Sequence, residues 1–105
     1  KIFVKYEHLL DRPINTVNQI INFLKYNMKI TFNSNNDKIS NIIQSTSFKR
    51  LREREIQNGF SESRSFSNFF RVGKKKQWKE NLNNRQKKEV EDEFEELMQI
   101  FGYLD

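Results

Sequence analysis

The sequence predicts a mostly helical single domain that begins with one short β-strand. Apolar residues at helical spacing recur along most of the chain, whereas residues 1–6 combine β-branched and aromatic residues in a continuous run. With 105 residues and 35% hydrophobic residues, the chain is expected to form one domain with a small core. A continuous apolar strand is typical of a sheet covered on both faces, and no other segment offers a convincing partner strand.

The first predicted helix covers about residues 13–26. Pro13 lies in its first turn, where the missing N–H of proline costs nothing, and Asp11 stands just ahead of it. Apolar side chains then recur on one face, at Val17, Ile20, Ile21 and Leu24. The spacing therefore predicts an amphipathic helix.

The same signals predict three further helices, over about residues 37–45, 47–58 and 84–101. Ser47 is a candidate N-cap for the second of them, and Gly59 is expected to end it. Asn83 or Asn84 can cap the last helix. Its apolar stripe is expected to face the core and comprises Val90, Phe94, Leu97, Met98 and Phe101.

A basic loop, residues 69–79, precedes the last helix. It places five cations in nine residues, from Arg71 to Lys79, before any acidic residue. Arginine presents a planar fork of donors to phosphate or sulfate oxygens, and Gly73 allows backbone N–H groups to turn towards a ligand. The pattern indicates an anion-binding loop. The alternative is a solvated basic loop that buried aromatic residues anchor to the core.

Composition narrows the classes of function. The net charge of +5 favours an anionic partner. The absence of cysteine excludes disulfides and thiolate metal sites, and it fits a cytoplasmic location. With His8 as the single histidine, we predict neither a metal site nor a catalytic residue. No apolar run approaches the roughly 20 residues of a membrane span, so no membrane partner is expected.

The basic loop resembles the carboxyl-terminal signature of the sulfotransferases that use 3′-phosphoadenosine 5′-phosphosulfate (PAPS), which is roughly F-x-R-K-G-x-x-G-D-W-K. Four residues are in register with it, namely Arg71, Gly73, Trp78 and Lys79. Val72 stands where the family often has lysine. Lys76 and Gln77 stand where it often has Gly-Asp.

The resemblance extends over essentially the whole chain. Tyr6-Glu7-His8-Leu9 is similar to a Y-E-D-L strand end of the family, and Thr46-Ser47-Phe48 matches its T-S-F between two helices. These matches imply the carboxyl-terminal part of an α/β P-loop-like sulfotransferase fold. The family's K-S-G-T-T-type P-loop and its R-x-P-x-D-x-x-x-S segment have no counterpart in this sequence, so the chain alone is predicted to be inactive.

The resemblance implies a partial nucleotide-binding site for PAPS, the sulfuryl donor, without a metal ion. Arg71 and Gly73 would bind the 3′-phosphate, the first through its guanidinium and the second through its backbone N–H. Val72 would offer its backbone N–H but not the side-chain cation usual in the family.

The adenine-binding residues implied by the resemblance are Thr46, by a hydrogen bond, and Phe48, by packing. Three further aromatic residues match family positions beside the nucleotide, namely Tyr6, Phe69 and Phe70. Each has a structural alternative: Thr46 could simply end a helix, and the aromatic residues could be ordinary packing residues.

The implied function is transfer of a sulfuryl group from PAPS to a hydroxyl or amine acceptor, with this chain contributing the wall that binds 3′-phosphoadenosine. Charge alone leaves an alternative, a small basic helical module that binds nucleic acid through residues 71–79. The unpaired apolar strand at residues 1–6 predicts a homodimer, because an open strand edge pairs readily with a second copy.

Overall fold

The computed structural model describes residues 1–31, 33, 35–63 and 68–104. These residues are mostly helical and contain no strand. The helices are α1 (Tyr6–Asp11), α2 (Pro13–Met28), α3 (Asn36–Ser45), α4 (Phe48–Asn58), α5 (Trp78–Asn81) and α6 (Asn84–Ile100). The chain divides into two compact units, Lys1–Lys75 with α1 to α4 and Lys76–Asp105 with α5 and α6.

The predicted strand at residues 1–6 is not observed. Residues 1–5 have no regular secondary structure, and Tyr6 already begins α1. A strand is stabilised by hydrogen bonds to a neighbouring strand, and the described residues provide none. The α/β architecture is therefore not seen in this chain. The predicted dimer loses the strand on which it depended, and nothing in the described residues supports it.

The observed ends of α2, α3, α4 and α6 differ from the predicted ranges by at most two residues. Side-chain caps explain three of the helix starts. The side chains of Asn35 and Ser47 accept hydrogen bonds from the backbone N–H groups of Lys38 and Arg50, and Asn83 forms a capping box with Gln86 at the start of α6. The short helices α1 and α5 were not predicted.

The core of the first unit is small. Ile39 on α3 is 1% exposed, and Thr16 on α2 is 2% exposed. The Thr16 hydroxyl lies 3.0 Å from the carbonyl oxygens of both His8 and Arg12, and so links α1 to α2. With so little apolar burial, specific polar contacts contribute much of the positioning of the helices.

The second unit leaves the apolar face of α6 half exposed. Val90, Phe94 and Leu97, which were predicted to face the core, are 44%, 50% and 53% exposed. The backbone of Phe94 also departs from helical dihedral angles, with φ −116° and ψ 20°. Within this unit α6 is therefore not buried along its predicted stripe.

Candidate functional site

A buried carboxylate on α4 holds the beginning of the basic loop. The two oxygens of Glu55 accept hydrogen bonds from the backbone N–H groups of Phe69, at 2.5 Å, and Phe70, at 2.9 Å. Glu55 is 8% exposed, and a buried carboxylate is stabilised when both oxygens accept hydrogen bonds. The backbone immediately before Arg71 is thereby fixed to α4.

A second α4 side chain, that of Arg52, binds the next residue of the loop. Its Nη1 donates a hydrogen bond to the carbonyl oxygen of Arg71 at 3.2 Å. Arg52 and Glu55 are three residues apart and therefore lie on the same face of the helix. Together they bind backbone groups of three successive loop residues, 69–71.

Gly73 brings the loop backbone against an aromatic ring. Its φ is +62°, and a Cβ added there would lie 2.3 Å from Cδ2 of Phe48. A larger residue would therefore meet both backbone strain and a steric clash. The structure gives a physical reason for glycine at this position, independent of any ligand.

Phenylalanine rings cluster beneath the loop. The ring of Phe70 packs edge-on against Phe48, with centroids 6.3 Å apart, and against Phe60 at 5.1 Å. Phe69 contacts Phe60 at 4.9 Å but is still 57% exposed. Phe48 and Phe70 therefore anchor the loop, whereas Phe69 keeps a large part of its ring open to a ligand.

A pocket of about 310 Å³ opens beside these residues, lined by Arg52, Asn68, Phe70, Arg71 and Val72. No acidic residue is among the described residues that line it. Within the described part of the chain, the guanidinium of Arg71 has no hydrogen-bond or ion-pair partner. Two guanidinium groups without an ion pair among the described residues favour binding of an anion.

Two predicted site residues do not take part in this cluster. The Thr46 hydroxyl donates a hydrogen bond to the carbonyl oxygen of Ile42 at 2.6 Å, so its proton is used at the end of α3. Tyr6, in the first turn of α1, is 46% exposed, and its ring makes no contact with the phenylalanine rings that the structure describes. The structure brings together the predicted residues Phe48 and 69–73.

The end of the first unit is linked to α1 by an ion pair. Lys75 Nζ lies 2.6 Å from Asp11 Oδ1, and both side chains are largely exposed. The hydrogen bond from Lys75 lowers the pKa of Asp11 below its ordinary value.

The rest of the basic run belongs to the second unit and surrounds a tryptophan. The Nζ atoms of Lys79 and Lys87 lie 5.6 and 5.5 Å from the centroid of the Trp78 ring. Lys87 also donates a hydrogen bond to the carbonyl oxygen of Lys79 at 3.0 Å. Both lysines thus make cation–π contacts with Trp78, and Lys87 also binds the backbone of α5.

The residues that the structure describes contain no helix long and apolar enough to cross a membrane. They also contain no group of three or more histidine, aspartate or glutamate side chains that could hold a metal ion.

Comparison with known proteins identifies the family. The chain matches the profile of the sulfotransferase domain over residues 2–102. It belongs to this family. A similar protein, from Flaveria bidentis, is named flavonol sulfotransferase-like; it is 28% identical over 112 residues, which cover 98% of this chain and 34% of the relative. The chain thus spans about a third of that curated relative. No solved structure matches it.

Three residues of this candidate site were not predicted from the sequence, namely Arg52, Glu55 and Asn68. A partial signal was present, because the three-residue spacing of Arg52 and Glu55 places an arginine and a carboxylate on one face of α4. Their backbone partners, 14 to 19 residues further along the chain, are not indicated by periodicity.

Proposed function

We propose that this chain forms the 3′-phosphoadenosine-binding wall of a sulfotransferase that moves a sulfuryl group from PAPS to a hydroxyl or amine acceptor. The observation that carries the proposal is the guanidinium of Arg71, which has no partner among the described residues and lies beside a pocket whose described lining includes no acidic residue. Membership of the sulfotransferase domain family supports the reaction class.

The fixed backbone of the loop explains how this wall binds a phosphate. Arg71 donates in bidentate fashion to the 3′-phosphate, and the backbone N–H groups of Val72 and Gly73 add donors. Because Glu55 and Arg52 already hold residues 69–71, little conformational freedom is lost when the nucleotide binds. The loop is preorganised for the anion.

The adenine ring takes the aromatic side of the wall. Phe69 keeps a half-exposed ring on which a base can stack. We assign Phe48 and Phe70 to the support of this side. The Thr46 hydroxyl already donates to Ile42, so it serves the adenine as an acceptor for the exocyclic amino group. Tyr6 remains a family-based assignment, without a described contact to the cluster.

The remaining features of the proposal rest on the resemblance to the sulfotransferase family and on composition. Residues 1–6 would pair as a strand in an α/β sheet to which other segments contribute. In the reaction, a bond forms between sulfur and the acceptor oxygen or nitrogen while the bond between sulfur and the 5′-phosphate oxygen breaks. None of the residues assigned here accepts the acceptor's proton, so this wall binds the donor and other groups perform the transfer. A cytoplasmic location remains a prediction from composition.

A nucleotide titration of the full-length protein tests the proposal. We expect 3′-phosphoadenosine 5′-phosphate to bind at least about tenfold more tightly than adenosine 5′-phosphate, because a charge-assisted contact is worth about 1.5–3 kcal/mol. The substitution Arg71→Lys should remove most of this preference, since lysine cannot reproduce the bidentate fork. Arg54→Lys, on the exposed surface of α4, is the matched control.

Equal affinity of the wild-type protein for the two nucleotides would contradict the proposal. An oligonucleotide titration at several salt concentrations covers the nucleic-acid alternative, because binding to phosphates of a polymer weakens steeply with salt. The flavonol in the name of the relative provides the first acceptor to assay.

A further inference from the structure

We propose that Arg52 is a second guanidinium ligand of the 3′-phosphate, acting from α4 beside Arg71. This inference rests on the proposed function and names a binding residue outside the loop. It also fits the presence of Val72, whose aliphatic side chain lines the pocket and supplies no cation.

The first support is the position of Arg52. It lines the same pocket of about 310 Å³ as Arg71 and Val72. Its Nη1 is bound to the carbonyl oxygen of Arg71 at 3.2 Å, which fixes the guanidinium next to the loop. A guanidinium has five N–H donors, so one bond to the backbone leaves further donors for an anion.

The second support is the balance of charge. A phosphate monoester carries between one and two negative charges at neutral pH, and two guanidinium groups match that charge. The nearby carboxylate of Glu55 does not neutralise them in an ion pair that the structure describes, because its two oxygens accept the N–H groups of Phe69 and Phe70. Asn68 adds a neutral amide to the lining. The pocket therefore suits a dianionic phosphate.

The experiment measures the affinities of the full-length protein for 3′-phosphoadenosine 5′-phosphate and for adenosine 5′-phosphate. We expect Arg52→Gln to weaken binding of the first about tenfold or more and to leave binding of the second unchanged. Arg54→Gln removes the same charge from the same helix outside the pocket and should change neither affinity. Thermal unfolding checks that the variants are folded, and Arg52→Lys provides a milder substitution.

A double variant separates direct contact from support of the loop. Adding Val72→Lys to Arg52→Gln places a cation in the same pocket without restoring the bond to the Arg71 carbonyl. Recovery of the affinity for the 3′-phosphorylated nucleotide supports direct binding. Loss without recovery overturns it and assigns Arg52 to loop support alone.

Two other outcomes also overturn the inference, and they are distinguishable. If the wild type prefers the 3′-phosphorylated nucleotide and Arg52→Gln retains that preference, the role of Arg52 is wrong while the proposed function stands. If the wild type shows no preference for the 3′-phosphate, both proposals fail.

Discussion

The cations of residues 71–79 form one run in the sequence, but the structure holds them in two different ways. At the end of the first unit, α4 binds the backbone of residues 69–71, the Arg71 guanidinium has no partner among the described residues, and Lys75 pairs with Asp11. In residues 76–79, at the start of the second unit, Lys79 and the more distant Lys87 gather around the ring of Trp78. The guanidinium of Arg71 is therefore available to a ligand, whereas the ammonium groups of Lys75 and Lys79 already have partners within the protein.

This difference shows what distinguishes a candidate binding loop from a basic surface. A phosphate ligand gains most from donors whose positions are fixed before binding and which have no competing internal partner. Residues 69–73 satisfy the first condition through contacts with α4 and Phe48. Lys79 and Lys87 instead make cation–π contacts with the Trp78 ring, and each such contact contributes about 0.5–1 kcal/mol at exposed sites.

The largest loss of stability is expected for Gly73→Ala, which changes the loop of residues 69–73 directly. Its φ of +62° is unfavourable for alanine, and the added Cβ would lie 2.3 Å from the Phe48 ring. Backbone strain and overpacking together should lower the free energy of unfolding by about 2–4 kcal/mol. Chemical denaturation measures this loss, and nucleotide titration should show weaker binding of 3′-phosphoadenosine 5′-phosphate.

Gly59→Ala is the matched control for this substitution. Gly59 also has a positive φ, +72°, but among the described residues no atom apart from its chain neighbours lies within 4 Å of an added Cβ. Because its ψ of 179° places it in a region that glycine alone adopts readily, we expect a loss of stability from backbone strain without a clash, and unchanged nucleotide affinity. If both variants bind the nucleotide like the wild type, the approach of Gly73 to Phe48 does not shape the site.

The second-largest loss of stability is expected for Glu55→Gln, which removes part of the attachment of the loop to α4. The glutamine amide would place its own N–H donors against one of the two backbone donors that Glu55 now accepts. Leaving a buried donor unsatisfied costs about 1–3 kcal/mol. Hydrogen–deuterium exchange, followed in a peptide covering residues 68–72, should accelerate at the N–H groups of Phe69 and Phe70.

Glu53→Gln makes the same chemical change at an exposed position of α4 and should leave this exchange unaltered. Unchanged exchange in Glu55→Gln would show that the carboxylate does not hold the loop in solution.

The sequence indicated candidate site residues where a local motif was sufficient. Arg71 and Gly73 were selected because the Arg-x-Gly spacing and the following Trp-Lys are contained in a few residues. The helix ends were found for the same reason, since the caps at Ser47 and Asn83 act within three residues. Features that depend on neighbouring residues in the sequence can be predicted without knowledge of the rest of the fold.

Features that depend on distant partners could not be predicted in this way. The run at residues 1–6 has the composition of a strand, but a strand requires a neighbour, and Tyr6 instead begins a helix. The composition of the basic run likewise does not indicate that it is divided between two compact units after Lys75. The roles of Arg52 and Glu55 arise only when α4 lies beside the loop.

A third prediction concerns the lysines around Trp78, in the second unit. Lys87→Met removes one of the two ammonium groups beside Trp78 and the hydrogen bond to the Lys79 carbonyl oxygen. We expect a loss of about 0.5–1 kcal/mol in the free energy of unfolding and a change in Trp78 fluorescence, with nucleotide affinity unaltered. Lys76→Asn removes a charge from the same region without a described ring contact, and asparagine tolerates the positive φ there. A large loss of nucleotide affinity in Lys87→Met would extend the binding site to this region.

The smallest loss of stability is expected from removing the ion pair between Asp11 and Lys75. The hydrogen bond from Lys75 lowers the pKa of Asp11 below 3.8 in the folded protein. The unfolded chain therefore takes up the proton first, so the pair stabilises the fold above pH 3.8 and loses this contribution as the pH falls through the lowered pKa. Because both side chains are exposed, salt should weaken the effect. Asp11→Asn should reduce stability slightly at neutral pH and match the wild type below the lowered pKa. Unfolding curves from pH 7 to pH 2, at low and high salt, measure this convergence; a constant difference between the proteins at every pH would show that Asp11 acts through something other than its charge.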